Sequence, residues 1–438
     1  MTVKKSVTGA VTRRQVLKVG GAAAAVAGIA PLIAAPAIAA TRTFKIGYVS
    51  PETGPLASFG EADDFMLGIA RKYFGDGIKN ASGKKMPVEI IVKDSQSNAN
   101  RAASVASNLI LNDNVDLMLV ASTPETTNPV SDQCETNGVP CISTMSPWQS
   151  WFFNRGGKPG TGFEWTYLYF WGLEDVIGAY TAMWSHIKTD KVVGGLFPND
   201  GDGNVWGDKK LGFPPVLHKL GYKLIDPGRF PDMNDNFSNY ISAFKQNDCQ
   251  ILTGVMIPPD AATFLTQAKQ QGLKPPVITI GKGLLFPSVI NGLGATAQNL
   301  SCEYWWGPTY PYKSSLTGAT CQQLCDEYTA STKRQWTQHI GFAYSLFEVA
   351  ADIAKRVPHA GDAKATLHAV VTTNLNSVVG PIAWNGKGPV KNVSKTPMVG
   401  GQWRHTKPGS RFKNDILVVV NDTAPQVKVQ SHMEPYGT

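Results

Sequence analysis

Phe44-Lys45-Ile46-Gly47-Tyr48-Val49 is a short apolar run; Ser50-Pro51-Glu52-Thr53-Gly54-Pro55-Leu56-Ala57-Ser58-Phe59-Gly60 follows as a turn-rich loop, and 61–74 is amphipathic. The run reads as a strand. The segment 61–74 reads as a helix. Glu61, Asp63 and Asp64 place negative charge in its first turn, where the helix dipole favours it, and Phe65, Met66, Ile69, Ala70 and Tyr73 form one apolar face. The unit then recurs: strands over 88–92, 116–120 and 140–143 alternate with helices over 101–111 and 126–136. Strand and helix in alternation predict a parallel sheet covered by helices.

A second series of the same kind begins at 192. Strands are expected over 192–197, 223–225, 250–255 and 277–280, with helices over 216–220, 237–246 and 261–271. Pro214 and Pro215 fall where that series' first helix should run, so it is expected to be shortened or to start there. An aromatic, cysteine-bearing loop region follows Leu300, and helices are expected over 338–356 and 363–371. The chain therefore predicts two α/β lobes.

The first 39 residues read as an export signal and stand outside the fold. Lys4 and Lys5 precede Arg13-Arg14-Gln15-Val16-Leu17-Lys18, an Ala-rich run follows, and Ala37-Ile38-Ala39 offers a small-residue cleavage site. The paired arginines resemble the twin-arginine export signal, with Val16 where that pattern usually has Phe. An uncleaved anchor wants about 20 strongly apolar residues, whereas this run is mostly Ala and Gly. No cysteine stands at the cleavage site. Cleavage near Ala39 and a freely diffusing periplasmic product are the expectation, with no membrane insertion of the mature chain.

Charge narrows the partners. The formal net charge is +8 over 438 residues, and Lys4, Lys5, Arg13, Arg14 and Lys18 supply five of it with no acid among them, leaving +3 beyond the signal. No basic cluster remains for nucleic acid. The six cysteines, Cys134, Cys141, Cys249, Cys302, Cys321 and Cys325, could pair in an oxidising compartment or lie free and buried. Cys134 with Cys141, or Cys302 with Cys321 or Cys325, are the pairings considered.

Ligands of open parallel sheets bind beyond the carboxyl ends of the strands. That rule selects the loops Ser50–Pro55, Ser122–Thr126 and Ser143–Trp148 in the first lobe, and Asn199–Asp202, Met256–Pro258 and Gly281–Gly283 in the second. Hydroxyls and free amides at helix N-termini suit a carboxylate, although Thr123, Thr126 and Ser146 would serve equally as helix caps.

The stretch 50–60 resembles the opening loop of the solute-binding proteins of branched-chain amino-acid ABC importers. Val379-Gly380-Pro381-Ile382-Ala383-Trp384-Asn385-Gly386-Lys387-Gly388 is similar to that family's late crossover signature, and Gly401-Gln402-Trp403 before Leu417–Val420 is similar to its closing strand pair. The resemblance implies a type I periplasmic binding fold: α/β, two Rossmann-like lobes with parallel sheets joined by a three-segment hinge. The crossings would lie near 163–169, 299–305 and 372–380. The implied division is 1–39 export signal, 40–165 plus 301–373 first lobe, and 166–300 plus 374–438 second lobe.

The implied function is capture of a small organic molecule by hinge closure, as a monomer, for delivery to the membrane permease subunits of an ABC importer. Amino-acid binders of the family place an acid after the second lobe's last major strand to pair with the ligand's ammonium, and here Lys282 stands there. A carboxylate lacking an α-ammonium, aromatic or branched-chain amino-acid-like, is therefore the expected ligand, unless Lys282 is simply solvated at the rim. Ser122, Thr123 and Ser146 are its expected donors, Trp148 and Trp206 apolar walls, Met256 the floor and Lys282 the counter-charge. Trp148, Trp165, Trp171, Trp305 and Trp306 could also simply pack the hinge and loops.

Catalytic and cofactor motifs fail on spacing. Asp200-Gly201-Asp202-Gly203-Asn204 begins like a calcium loop, but its sixth position is Val205 and its twelfth Leu211. No dinucleotide loop, phosphate loop, zinc motif or serine elbow is present. No cofactor, metal or enzymatic activity is expected. A ligand-sensing partner of a membrane sensor, or an exported cofactor enzyme, are the other classes considered; co-purification and absorbance would separate them.

Overall fold

The computed structural model describes residues 42–437, so the export-signal and cleavage-site expectations lie outside the described residues. Two sheets organise the chain.

The first is built from strands Phe44–Ser50, Val88–Asp94, Leu117–Ala121, Cys141–Thr144, Thr166–Tyr169 and Val393–Ser394. Across the sheet they run 393–394, 166–169, 141–144, 117–121, 44–50, 88–94, all in parallel. The inner strands are buried on both faces, which is why Leu117–Ala121 reads as an unbroken apolar run and not an alternating one. The Asp63–Phe74 helix carries Asp63 and Asp64 in its first turn, with Arg71 and Lys72 in its last. Glu61, expected inside it, lies before it.

The second sheet contains Val192–Pro198, Lys223–Ile225, Arg229–Phe230, Ile251–Met256, Val277–Lys282, Ser301–Tyr304, Val399–His405 and Asn414–Val420. Its central strands are parallel, and 301–304, 399–405 and 414–420 close the edge in antiparallel pairs. The Phe213–Lys219 helix does start at the two prolines, where the missing N–H groups have no intrahelical partner to lose.

The chain passes between the lobes three times, and the passages lie later than expected. Thr166–Tyr169, expected in the second lobe, pairs with Cys141–Thr144 in the first sheet, so the first crossing is at Phe170–Gly172. Ser301–Tyr304, expected to open the return, is still a strand of the second sheet, and the return begins at Trp305. The third shift is largest. Asn374–Ser377 and Gly380–Ala383, expected at the crossing, form an antiparallel hairpin, and Val393–Ser394 then joins Leu168 and Tyr169 before the chain leaves at Lys395. The apolar residues there serve hairpin packing, a role that local pattern does not distinguish from a crossing.

All six cysteines are free and buried. No helix among the described residues is long and apolar enough to cross a membrane.

Candidate functional site

The carboxyl ends of both sheets face one cleft. From the first lobe, the Pro124–Asn137 helix presents Glu125 in its opening turn. From the second, Asp200 caps the Gly201–Trp206 helix through a bond from the Gly203 N–H, and Lys282 ends the strand Val277–Lys282. Glu125 Oε1 accepts the Gly201 N–H at 3.0 Å, and Asn154 Nδ2 donates to the Gly201 carbonyl at 2.9 Å, so the lobes meet through direct bonds.

Lys282 stands at the centre. Its Nζ lies 3.3 Å from Glu125 Oε2, 3.0 Å from Asp200 Oδ2 and 3.3 Å from Asp202 Oδ2, and its side chain is 4% exposed. The ammonium donates to Glu125 and Asp200, and Asp202 adds a third negative charge at ion-pair distance. The Lys282 backbone is in the left-handed region at φ 66°, and its N–H donates to Glu303 Oε1 at 2.9 Å. A β-carbon on the preceding Gly281 would fall 2.8 Å from the Trp206 ring and 3.1 Å from both Glu303 and the Tyr180 hydroxyl. Only a glycine lets the strand end sit this close to those groups.

Burial and charge oppose each other in this cluster. Burial alone would discharge Lys282, but Asp200, Glu125 and Asp202 together hold it protonated, well above its ordinary range. Burial likewise pushes the Glu125 carboxyl up, yet Lys282 leaves it below its usual value. For Asp202 burial wins over Lys282, aided by the charges on Glu125 and Asp200, and its carboxyl is pushed up to about 7. Glu303, buried beneath the Tyr180 hydroxyl, is also pushed up to about 7.

Around the cluster is a wall of rings. Phe59 comes from the first lobe's opening loop, Phe170 and Trp171 from the first crossing, Trp206 from the second lobe and Trp305 from the second crossing. The indole N–H groups of Trp171, Trp206 and Trp305 are buried without a hydrogen-bond partner, as are the hydroxyls of Ser122 and Ser146. A buried donor left unpaired costs about 1–3 kcal/mol, so several around one cavity mark a place where acceptors are meant to arrive. The cavity that remains is about 20 Å³, roughly the room of one water. The cleft is shut.

Thr123, Trp206 and Lys282 line this cavity. Ser122, Ser146 and Met256 are buried chain neighbours of the lining residues Thr123, Met145, Pro147 and Val255. Trp148 turns away: its indole N–H donates to Glu174 Oε1 at 3.1 Å, and its ring packs on Phe153. Phe59, Phe170, Trp171, Asp202, Glu303 and Trp305 line the cavity without having been singled out as ligand contacts. Four of them sit at crossings or in the opening loop; Asp202 lies within a loop that the strand-end rule did select, and Glu303 is hidden inside a strand.

Comparison with known proteins agrees with this architecture. A family model described as periplasmic binding protein matches residues 43–407. A search of curated proteins by sequence returns no match. Among solved structures, the branched-chain amino acid transporter substrate binding protein LivJ from Streptococcus pneumoniae, in complex with isoleucine, superposes with a TM-score of 0.66 at 18% identity, over 86% of this chain and 100% of that one. A solute binding protein of an ABC transporter from Rhodopseudomonas palustris BisB5, in complex with 3,4-dihydroxybenzoic acid, gives 0.65 at 16% identity over 87% and 98%. Another from R. palustris, in complex with 4-hydroxybenzoate, gives 0.66 at 14% identity over 90% and 97%.

Proposed function

The chain belongs to the periplasmic binding protein family, a family of solute-binding proteins, and from that premise we propose that it is an exported receptor that closes on an aromatic or branched apolar carboxylate and delivers it to the permease subunits of an ABC importer. One observation carries the ligand class: five aromatic rings enclose the cleft, and three of their indole N–H groups point to no partner. Flat walls favour a ring or a branched chain, and unpaired donors favour an acceptor such as a carboxylate. Two of the solved relatives hold aromatic carboxylates and one holds isoleucine, which lends the reading support.

In this reading Ser122, Thr123 and Ser146 receive the carboxylate at the start of the first-lobe helices, and Trp206 is a wall. The ligand enters while the lobes are apart, swinging on the three crossings, and the closed state is favoured by what the ligand touches on both sides. Met256 sits below the floor.

The test is the thermal midpoint of the protein against benzoates, phenylpropionates, aliphatic carboxylates, amino acids and short amides. A ligand confined to the folded state adds about 2.7 kcal/mol at a hundredfold excess over its dissociation constant. An upward shift with aromatic or branched carboxylates is expected; a shift confined to amides would overturn the carboxylate reading.

A further inference from the structure

The three carboxylates around Lys282 are more acid than one lysine needs, and they come from both sides of the cleft: Glu125 from the first lobe, Asp200 and Asp202 from the second. A cluster of acids alone would say nothing, but here an ammonium is seated among them, almost wholly out of water, bonded to Glu125 and Asp200 and ion-paired with Asp202. It belongs to the protein. We propose that Glu125, Asp200 and Asp202 form a cation subsite that Lys282 fills permanently, so that the chain supplies in advance the ammonium a solute might otherwise bring, and thereby selects solutes that lack one. This rests on the cleft being the solute site.

The argument is one of occupancy and charge. A second ammonium entering beside Lys282 would find Glu125 Oε2 and Asp200 Oδ2 already bonded to it, with Asp202 Oδ1 the unpaired oxygen of the three acids, and would bring two cations together in a closed cavity, where their repulsion is poorly screened. The indole donors of Trp171, Trp206 and Trp305 cannot accept from an ammonium either, since an indole N–H only donates. Those indole N–H groups and the Ser122 and Ser146 hydroxyls instead offer unpaired donors to a carboxylate or a neutral acceptor. Lys282 is thus a specificity-determining residue that acts by exclusion, through a place it holds and not through a contact it makes with the solute.

Two measurements decide it. Lys282→Ala removes three carbons and the ammonium, which is the size of propylammonium. With propylammonium chloride set against sodium chloride at equal ionic strength, the variant's thermal midpoint should rise saturably with the amine, and the unaltered protein's should not. No amine-specific rise in a folded variant overturns the cation subsite. The second measurement uses the unaltered protein and so does not depend on the variant folding: calorimetric titration with phenylalanine against 3-phenylpropionate, and leucine against 4-methylpentanoate. Each acid should bind at least tenfold more tightly than its amino acid; equal or tighter binding of an amino acid overturns exclusion. Should no member of either pair bind, the proposed ligand class fails, while the propylammonium result still decides the role of Lys282.

Discussion

The phenol of Tyr180 donates to Glu303 Oε2 at 2.6 Å, with both side chains buried behind the strand end that carries Lys282. Burial pushes Glu303 up to about 7, and does the same to Asp63, Asp202 and Glu348. These groups hold protons in the folded state that the unfolded chain releases above its ordinary carboxyl range, so their stabilisation is present at low pH and is lost as pH rises through about 7. His339, which burial drives down to about 3, works in the opposite sense, its contribution being lost as pH falls below the ordinary histidine value. Four carboxyls outweigh one imidazole. The thermal midpoint should therefore be higher at pH 6 than at pH 8, and Glu303→Gln should flatten that fall. A midpoint that climbs from pH 6 to pH 8 would show that these carboxyls are ionised in the folded protein.

Glu125→Ala should open the unliganded protein. It removes the first lobe's side-chain acceptor for both Gly201 and Lys282. Since Lys282 keeps Asp200 and Asp202, the stability loss should stay below the roughly 3–5 kcal/mol that follows when a buried charge is left with no partner. Small-angle X-ray scattering checks it through a larger radius of gyration; an unchanged radius would mean that the Asn154–Gly201 bond and the aromatic contacts suffice to keep the cleft shut.

Two tryptophans should respond differently to the same change. Trp171→Phe deletes an unpaired donor that lines the cavity and should weaken a bound carboxylate by roughly two- to tenfold, the worth of one hydrogen bond. Trp148→Phe deletes a donor already committed to Glu174 and should leave affinity unchanged. Isothermal titration of both variants separates a lining role from a packing role.

Gly281→Ala should disturb the site without touching any charge. Its added carbon meets the Trp206 ring, Glu303 and Tyr180, so that one of them must move. A cost of about 1–3 kcal/mol is expected, as for other overpacked interiors, together with a weaker response to ligand. Chemical denaturation reads the first and thermal shift the second.

Much of this was visible in the residues, and for identifiable reasons. The strand expected over 277–280 and the helix expected over 363–371 fall where β-branched runs and periodicity put them, because parallel strands buried on both faces leave a strong local signature. The hydroxyl loops were found because position at a strand end is a topological property. Trp171 and Trp305 escaped because a crossing is defined by which sheet each flank joins, and sheet membership is not a local property. Lys282 was found, and Glu125, Asp200 and Asp202 fall within the selected strand-end loops, but their pairing with Lys282 was not. Glu125 and Lys282 lie 157 positions apart, and no spacing rule connects residues on two lobes.

The strand Val393–Ser394 has a bearing on how the chain is made. It covers the edge of the first sheet at Thr166–Tyr169, and Asn392 clamps the same place through a bond to the Thr166 carbonyl from 226 positions away. During synthesis that edge stays bare until residues 393–394 have emerged, more than 220 positions after the strand they cover. A chain stopped short of this return would present unpaired backbone groups along a buried-type strand, an open template for joining other chains. The late return strand is thus the piece that turns an aggregation-prone intermediate into a finished lobe.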